Sequence, residues 1–184
     1  EYSPIYKDIA FKKYEIVLGV CGGIAAYKAA MLCSQLTQQG AQVSVVMTEH
    51  AKSFVGPLTF STLSNRPVYD ALFDTPAVYH TEHISLAERA DIIVVAPATA
   101  NILGKLAHGI CDDPLSTVLA AAESPVLLAP AMNCRMWQHP ATQKNIEQLR
   151  QWQYHFVGPE TGRLACGENA VGRMSEPSAI LESI

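Results

Sequence analysis

Four short runs of aliphatic and β-branched residues, each closing on small or polar residues, constrain this chain more than any other feature. They read Glu15-Ile16-Val17-Leu18-Gly19-Val20, Gln42-Val43-Ser44-Val45-Val46-Met47, Asp91-Ile92-Ile93-Val94-Val95-Ala96 and Pro125-Val126-Leu127-Leu128-Ala129. Strands that are apolar throughout are buried on both faces, and the segments between these runs carry helical patterns that supply the crossovers parallel strands need. After the glycine turn at Gly22-Gly23, a helix is expected from Ile24 to about Gln39, where Ala25, Ala29, Leu32 and Leu36 recur at helical spacing, and Gly40 marks the stop. Further helices are expected over 57–64, 85–89, 100–108, 114–122 and 140–152, with a late strand over 154–157. The expected fold is α/β: a doubly wound, Rossmann- or flavodoxin-like parallel sheet with helices on both faces.

Composition narrows the function classes. The 184 residues, 49% of them hydrophobic, suffice for one domain with a sizeable core. We expect an N-terminal extension over 1–13 and a single domain over 14–184. Within it, the glycine- and proline-rich stretch 158–177 reads as a long loop or flap. A net charge of −4 without any Lys/Arg run argues against nucleic acid or an anionic membrane as the main partner. No apolar stretch approaches the ~20 residues that cross a bilayer. The cysteines at 21, 33, 111, 134 and 166 form no C-x-x-C pair, so no zinc site or redox dithiol is indicated. Scattered thiols without a secretory signal at Glu1-Tyr2-Ser3-Pro4 fit a cytoplasmic protein.

Open parallel sheets bind ligands where loops leave the carboxyl ends of the strands. Those ends read Cys21-Gly22-Gly23-Ile24, Thr48-Glu49-His50, Pro97-Ala98-Thr99-Ala100-Asn101 and Pro130-Ala131-Met132-Asn133. Each joins small residues, which let a ligand approach the backbone, to a polar side chain or unpaired amides. The first turn can hold an anion at a helix N-terminus, yet it matches neither G-x-G-x-x-G nor the P-loop, and a ligand-free tight turn accounts for it equally well. Thr48 is a helix cap or a phosphate contact, and the two sites together favour a mononucleotide. Asn133 either caps the following helix while Met136 and Trp137 pack, or binds a ligand. Asp112-Asp113-Pro114 reads as a capped helix start. His80 and His83 lack the further ligands that a metal site would need, so no metal is expected. Cys21 and Cys33 read as packing thiols, whereas Cys166 sits in the polar loop, where access is easier.

The chain resembles the homo-oligomeric flavin-containing cysteine decarboxylases. The resemblance runs from about Tyr14 to Pro177, on Gly22-Gly23-Ile24-Ala25-Ala26-Tyr27-Lys28, His83-Ile84-Ser85-Leu86, Pro97-Ala98-Thr99-Ala100-Asn101, the Pro130 to Trp137 motif, and Leu164-Ala165-Cys166-Gly167 with Gly172-Arg173-Met174. Three positions depart from the family pattern: Thr99 replaces Ser, which keeps a hydroxyl, Ile102 replaces Thr, which drops one cofactor-side contact, and Ala170 replaces Gly in the flap.

The resemblance implies FMN-dependent decarboxylation of phosphopantothenoylcysteine to phosphopantetheine in coenzyme A biosynthesis, through thioaldehyde and ene-thiol intermediates. It implies FMN held by Gly22, Gly23, Ile24, Thr48, His50, Thr99, Ala100, Asn101 and Ala131, and substrate contacts from Asn133 and Met136. His83 would be the acid/base, Cys166 the proton donor on a closing flap, and the assembly a homotrimer with flavin at subunit contacts. Direct loss of CO2 from a cysteine carboxylate leaves an unstabilised carbanion, so an electron sink is required. Two relatives offer rival activities: a peptidyl-cysteine oxidative decarboxylase that stops at the ene-thiol, and a flavin prenyltransferase. Cys166 argues against the first and the Pro130 to Trp137 motif against the second. A third reading, a noncatalytic flavoprotein that regulates a phosphatase, sits poorly with the complete His83, Asn133 and Cys166 set.

Overall fold

The computed structural model describes residues 10–72, 82–165 and 167–184. Its first half runs β1 (Glu15–Val20), α1 (Ala26–Gln38), β2 (Gln42–Met47), a 3₁₀ turn (Glu49–Ser53), α2 (Pro57–Ser64), α3 (Glu82–Arg89), β3 (Ile92–Ala98) and α4 (Ala100–His108). Then follow α5 (Pro114–Ala121), β4 (Val126–Pro130), α6 (Cys134–Gln138), α7 (Pro140–Gln151), β5 (His155–Phe156), β6 (Glu160–Arg163), β7 (Asn169–Arg173) and α8 (Pro177–Ser183).

β1 to β5 form one parallel sheet in the order β2-β1-β3-β4-β5, the flavodoxin-like arrangement of a doubly wound fold. Because side chains alternate along a strand, each strand feeds two cores. Ile16, Leu18 and Val20 of β1 pack with Ala29, Leu32 and Leu36 of α1, on the face that α2 and α8 complete. Val17, Val46, Ile93, Val95 and Leu128 point the other way, toward Leu103, Leu115, Leu119 and Leu149 of α4, α5 and α7. Leu18, Leu32, Leu36 and Leu128 are wholly buried, and each such side chain contributes about 1.5–3 kcal/mol. The outer edge of β2 is covered by the strap through Tyr69, whose N–H donates to the Val45 carbonyl at 2.9 Å and whose carbonyl accepts from the Met47 N–H at 2.9 Å. Arg66 ties that strap down with a two-pronged contact to Glu15, at 2.7 and 2.9 Å. Among the described residues no helix is long and apolar enough to cross a membrane.

The parallel strands match the sequence expectation closely, while three other regions differ. α1 begins at Ala26, because the Ala26 N–H donates to the Gly23 carbonyl at 2.9 Å and closes a turn first. β5 has two residues, since only Leu127 and Leu128 of β4 find partners in it. The stretch read as a long loop is an antiparallel hairpin, β6 against β7, followed by α8. Its strands carry no apolar alternation because they pack over a cavity rather than into a core, which is why periodicity missed them. Residue 166, at the centre of the expected flap, lies outside the described residues, as do His80 and most of the expected 1–13 extension.

Candidate functional site

A cavity of about 1170 Å³ opens at the carboxyl ends of β1, β2, β3 and β4. Ordinary ligand pockets hold ~300–1,000 Å³, so this one has room for a cofactor and a substrate together.

The turn after β1 forms one wall. A Cβ on Gly22 would sit 2.4 Å from the Cβ and 2.7 Å from the carbonyl carbon of His50, so only glycine lets the 3₁₀ turn after β2 approach this closely. A Cβ on Gly23 would meet nothing within 4 Å, which leaves beside the backbone a space that no protein atom fills. Ile24 borders the cavity in the same turn. Thr48 is the N-terminal residue of the 3₁₀ turn, yet its side chain makes no capping bond. Thr48 and the nearby His50 line the cavity instead. The capping alternative for Thr48 is therefore the one the structure does not use.

From β3 the chain enters α4 through Thr99, whose Oγ1 accepts weakly from the Ile102 N–H at 3.4 Å. Ala100 and Asn101 form the first turn of this helix and face the cavity, with the positive end of the helix dipole behind them. Beneath them Cys21 is buried, and burial pushes its thiol up to about 12 against the opposing pull of hydrogen bonds from Thr99. Cys21 therefore stays neutral near pH 7.

The segment after β4 is pinned from two sides. The Ala131 N–H donates to the Ala98 carbonyl and the Met132 N–H to the Gly172 carbonyl of β7, both at 3.0 Å. Gly172 has φ +138°, and a Cβ there would lie 2.2 Å from the Met132 carbonyl oxygen. The hairpin can thus reach the floor only because that residue is glycine. Asn133 caps α6: its Oδ1 accepts from the Arg135 N–H at 2.9 Å. Both readings of Asn133 are compatible, since the cap fixes the amide while the residue lines the cavity with Ala131 and the half-exposed Met136. Trp137 packs against the second core.

Eleven of the thirteen expected site residues thus border one cavity. His83 does not. It sits half-buried in the first turn of α3, whose Leu86 and Ala87 pack into the second core. Cys166 lies outside the described residues, although its neighbours Leu164 and Ala165 line the cavity. Among the described residues no group of three or more His, Cys, Asp or Glu could hold a metal ion.

Sequence reasoning assigned no role to four basic residues of this cavity. Lys28 is buried, and its Nζ donates to the Met174 carbonyl at 3.1 Å and to Glu176 at 3.0 Å. The Lys28 hydrogen bond holds the Glu176 carboxyl below the usual carboxylate range. Its signal was available: Lys28 falls four residues before Leu32 on the apolar stripe of α1, where a charge demands a partner. Lys105 lies between Asp112 and Asp113 at 2.5 Å from each. Asp113 also caps α5 in a reciprocal box with Ser116, as the helix-start reading expected. Arg163 and Arg173 reach the cavity from the hairpin, whose register no local pattern reveals.

Comparisons agree with this architecture. The Flavoprotein family model matches residues 7–184. The coenzyme A biosynthesis bifunctional protein CoaBC of Bacillus subtilis is 52% identical over 167 residues, covering 91% of this chain but 41% of that protein. The chain thus spans about two fifths of the length of such curated relatives. Among solved structures, a cysteine-to-serine mutant of PPC decarboxylase complexed with pantothenoylaminoethenethiol superposes with a TM-score of 0.85 at 32% identity, covering 94% of this chain and 96% of that one. The FMN-dependent cysteine decarboxylase SpaF gives 0.79 at 31% identity, covering 95% and 99%. With its parallel sheet, its strand-end cavity and a family match over nearly its whole length, this chain belongs to the Flavoprotein family.

Proposed function

We propose that this chain decarboxylates phosphopantothenoylcysteine to phosphopantetheine, with FMN bound, as a step of coenzyme A biosynthesis. The observation that carries the reading is convergence: Asn133 and Met136 share one oversized cavity with the Gly22-Gly23 turn and the start of α4. Resemblance to a PPC decarboxylase and to an FMN-dependent cysteine decarboxylase supplies the chemistry.

The residues present fit FMN. The unfilled space at Gly23 and the amides of Gly22, Gly23 and Ile24 suit its phosphate, with Thr48 and His50 alongside. Thr99, Ala100, Asn101 and Ala131 would hold the remainder. When bound, the cofactor would supply a reversible two-electron sink, which the carbon that loses CO2 needs. The Asn133 amide, fixed by its capping bond from the Arg135 N–H, would hold the substrate carboxylate. Met136 supplies apolar contact to the acyl arm. Cys166 would donate the final proton, a role that suits a thiol still protonated at pH 7.

His83 remains the acid/base in this reading, and it would serve the cavity of a neighbouring copy. An apolar surface supports that arrangement. Ile24 and Tyr27 at the mouth are 64% and 54% exposed, Met31 continues the α1 face, and Phe54 and Leu58 lie exposed beside it on the α2 side. Burying such a surface favours a homo-oligomer, for which we propose a trimer. The reading places the protein in the cytoplasm.

The test is incubation of FMN-loaded protein with phosphopantothenoylcysteine and identification of the product by mass. Saturated phosphopantetheine is expected from the natural sequence and ene-thiol from Cys166→Ser. Ene-thiol from both would reassign the chain to oxidative decarboxylation, and no turnover by either would make it a noncatalytic flavoprotein.

A further inference from the structure

Among the described residues four lysine and arginine side chains border the cavity: Lys28, Lys105, Arg163 and Arg173. Three are already matched by carboxylates. Lys28 and Arg173 both meet Glu176, and Lys105 meets Asp112 and Asp113. Arg163 is different, because among the described residues it has neither an ion pair nor a hydrogen-bonded acceptor for its guanidinium. It is exposed, at the end of β6, immediately before the hairpin tip. Glu49, a carboxylate on the cavity rim, is itself engaged by Lys52 at 2.6 Å.

An exposed guanidinium on a cavity wall without an internal partner is available to an anion from outside, and its forked donors suit a phosphate. Position decides which phosphate. The amides at Gly22 to Ile24, in the turn after β1, offer one anion site, on a different wall of the cavity from β6. Arg163 belongs to the roof, on the strand pair that docks through Gly172 onto Met132, next to Asn133. An N-acylcysteine whose carboxylate is held at Asn133 would extend its acyl arm along this roof.

We propose that Arg163 is the specificity residue that recognises a phosphate monoester at the far end of the N-acylcysteine substrate. This rests on the decarboxylase reading above and adds to it the group that separates a phosphorylated substrate from an unphosphorylated acyl- or peptidyl-cysteine. Removal of Arg163 should therefore cost substrate binding and leave the chemistry intact, because the phosphate lies away from the reacting carbons.

The experiment uses FMN-loaded protein and two substrates, phosphopantothenoylcysteine and its dephosphorylated form. The unaltered protein should favour the first in kcat/KM. Arg163→Ala and Arg163→Gln should raise KM for the phosphorylated acid roughly tenfold to hundredfold, with kcat within about twofold. KM for the dephosphorylated acid and the FMN Kd read by flavin fluorescence should not move, and Arg163→Lys should recover part of the loss. Added salt should raise KM for the phosphorylated acid in the unaltered protein alone, a measurement that needs no variant to fold. Equal losses on both substrates, a retained preference for phosphate, or weakened FMN binding would each overturn the Arg163 assignment while leaving decarboxylation standing. If the unaltered protein turns over neither acid, the decarboxylase reading itself falls, and this inference with it.

Discussion

β1, β3 and β4 deliver the cavity floor from strands whose residues are almost all buried, whereas β6 and β7 form the roof from a hairpin that leaves about half of its residues in water. The floor is fixed by apolar contacts on both sides of the sheet. Among the described residues, polar links that hold the roof are the Met132 to Gly172 hydrogen bond, the Cys134 thiol donating to Glu168 at 3.4 Å, and, just after β7, the Lys28 and Arg173 contacts with Glu176. A floor of this kind holds amides and side chains in place for a cofactor that stays. With about half of its residues in water, the hairpin is expected to be the less firmly held of the two parts.

The contrast breaks if equivalent truncations cost the same in both parts. Leu128→Ala in β4 removes a wholly buried side chain and should destabilise the protein by about 2–5 kcal/mol in urea unfolding. Val171→Ala in β7, where the side chain is partly buried, should cost under about 1.5 kcal/mol. Comparable values would show that the hairpin is as firmly packed as the sheet.

A second variant sharpens the contrast by acting where the two parts meet. Gly172→Ala puts a Cβ against the Met132 carbonyl at a positive φ, a strain of about 1–3 kcal/mol. Hydrogen exchange should then quicken at the hairpin-tip amides of Leu164 and Gly167, which donate within the turn, and remain slow in β1 and β3. Uniform quickening would mean that roof and floor unfold as one unit.

The smallest effect concerns pH and belongs to the core. Burial pushes the Cys21 thiol up to about 12 and the Cys33 thiol up to about 11, from an ordinary 9.0. The folded chain therefore binds more protons than the unfolded chain between pH 9 and the raised values, so stability is full below about 9 and declines as pH rises. The urea midpoint should fall between pH 8 and pH 10.5, and less steeply in Cys33→Ala. At pH 8, alkylation mapped by mass spectrometry should mark the exposed Cys111 before Cys21 or Cys33.

The floor was legible in the sequence because its information is local. Each β-branched run, each small-residue turn and each helix start at Pro57, Ala100, Pro114 or Pro140 follows from neighbouring residues, and the cavity collects those same strand ends. The roof was not legible. β6 and β7 carry no periodic apolar signal, and their pairing rests on a register of Thr161 with Val171 and Arg163 with Asn169 that no nearby residue encodes. Thr48 and Asn133 show the limits of a local reading in both directions. Each sits where a cap is expected, yet only Asn133 makes the capping bond.

By itself, then, the sequence determined the parallel sheet, its two helical faces and the strand ends on which chemistry would gather, because hydrophobic periodicity and turn residues act over a few neighbouring positions. Tertiary structure alone decided that Lys28 lies buried against Glu176, that Gly172 lets the hairpin rest on Met132, that His83 sits away from the cavity of its own chain, and that Arg163 overhangs it without a carboxylate partner among the described residues. Those facts depend on segments up to 148 residues apart meeting in space, and such meetings are fixed by the packing of the whole domain rather than by any stretch of its chain.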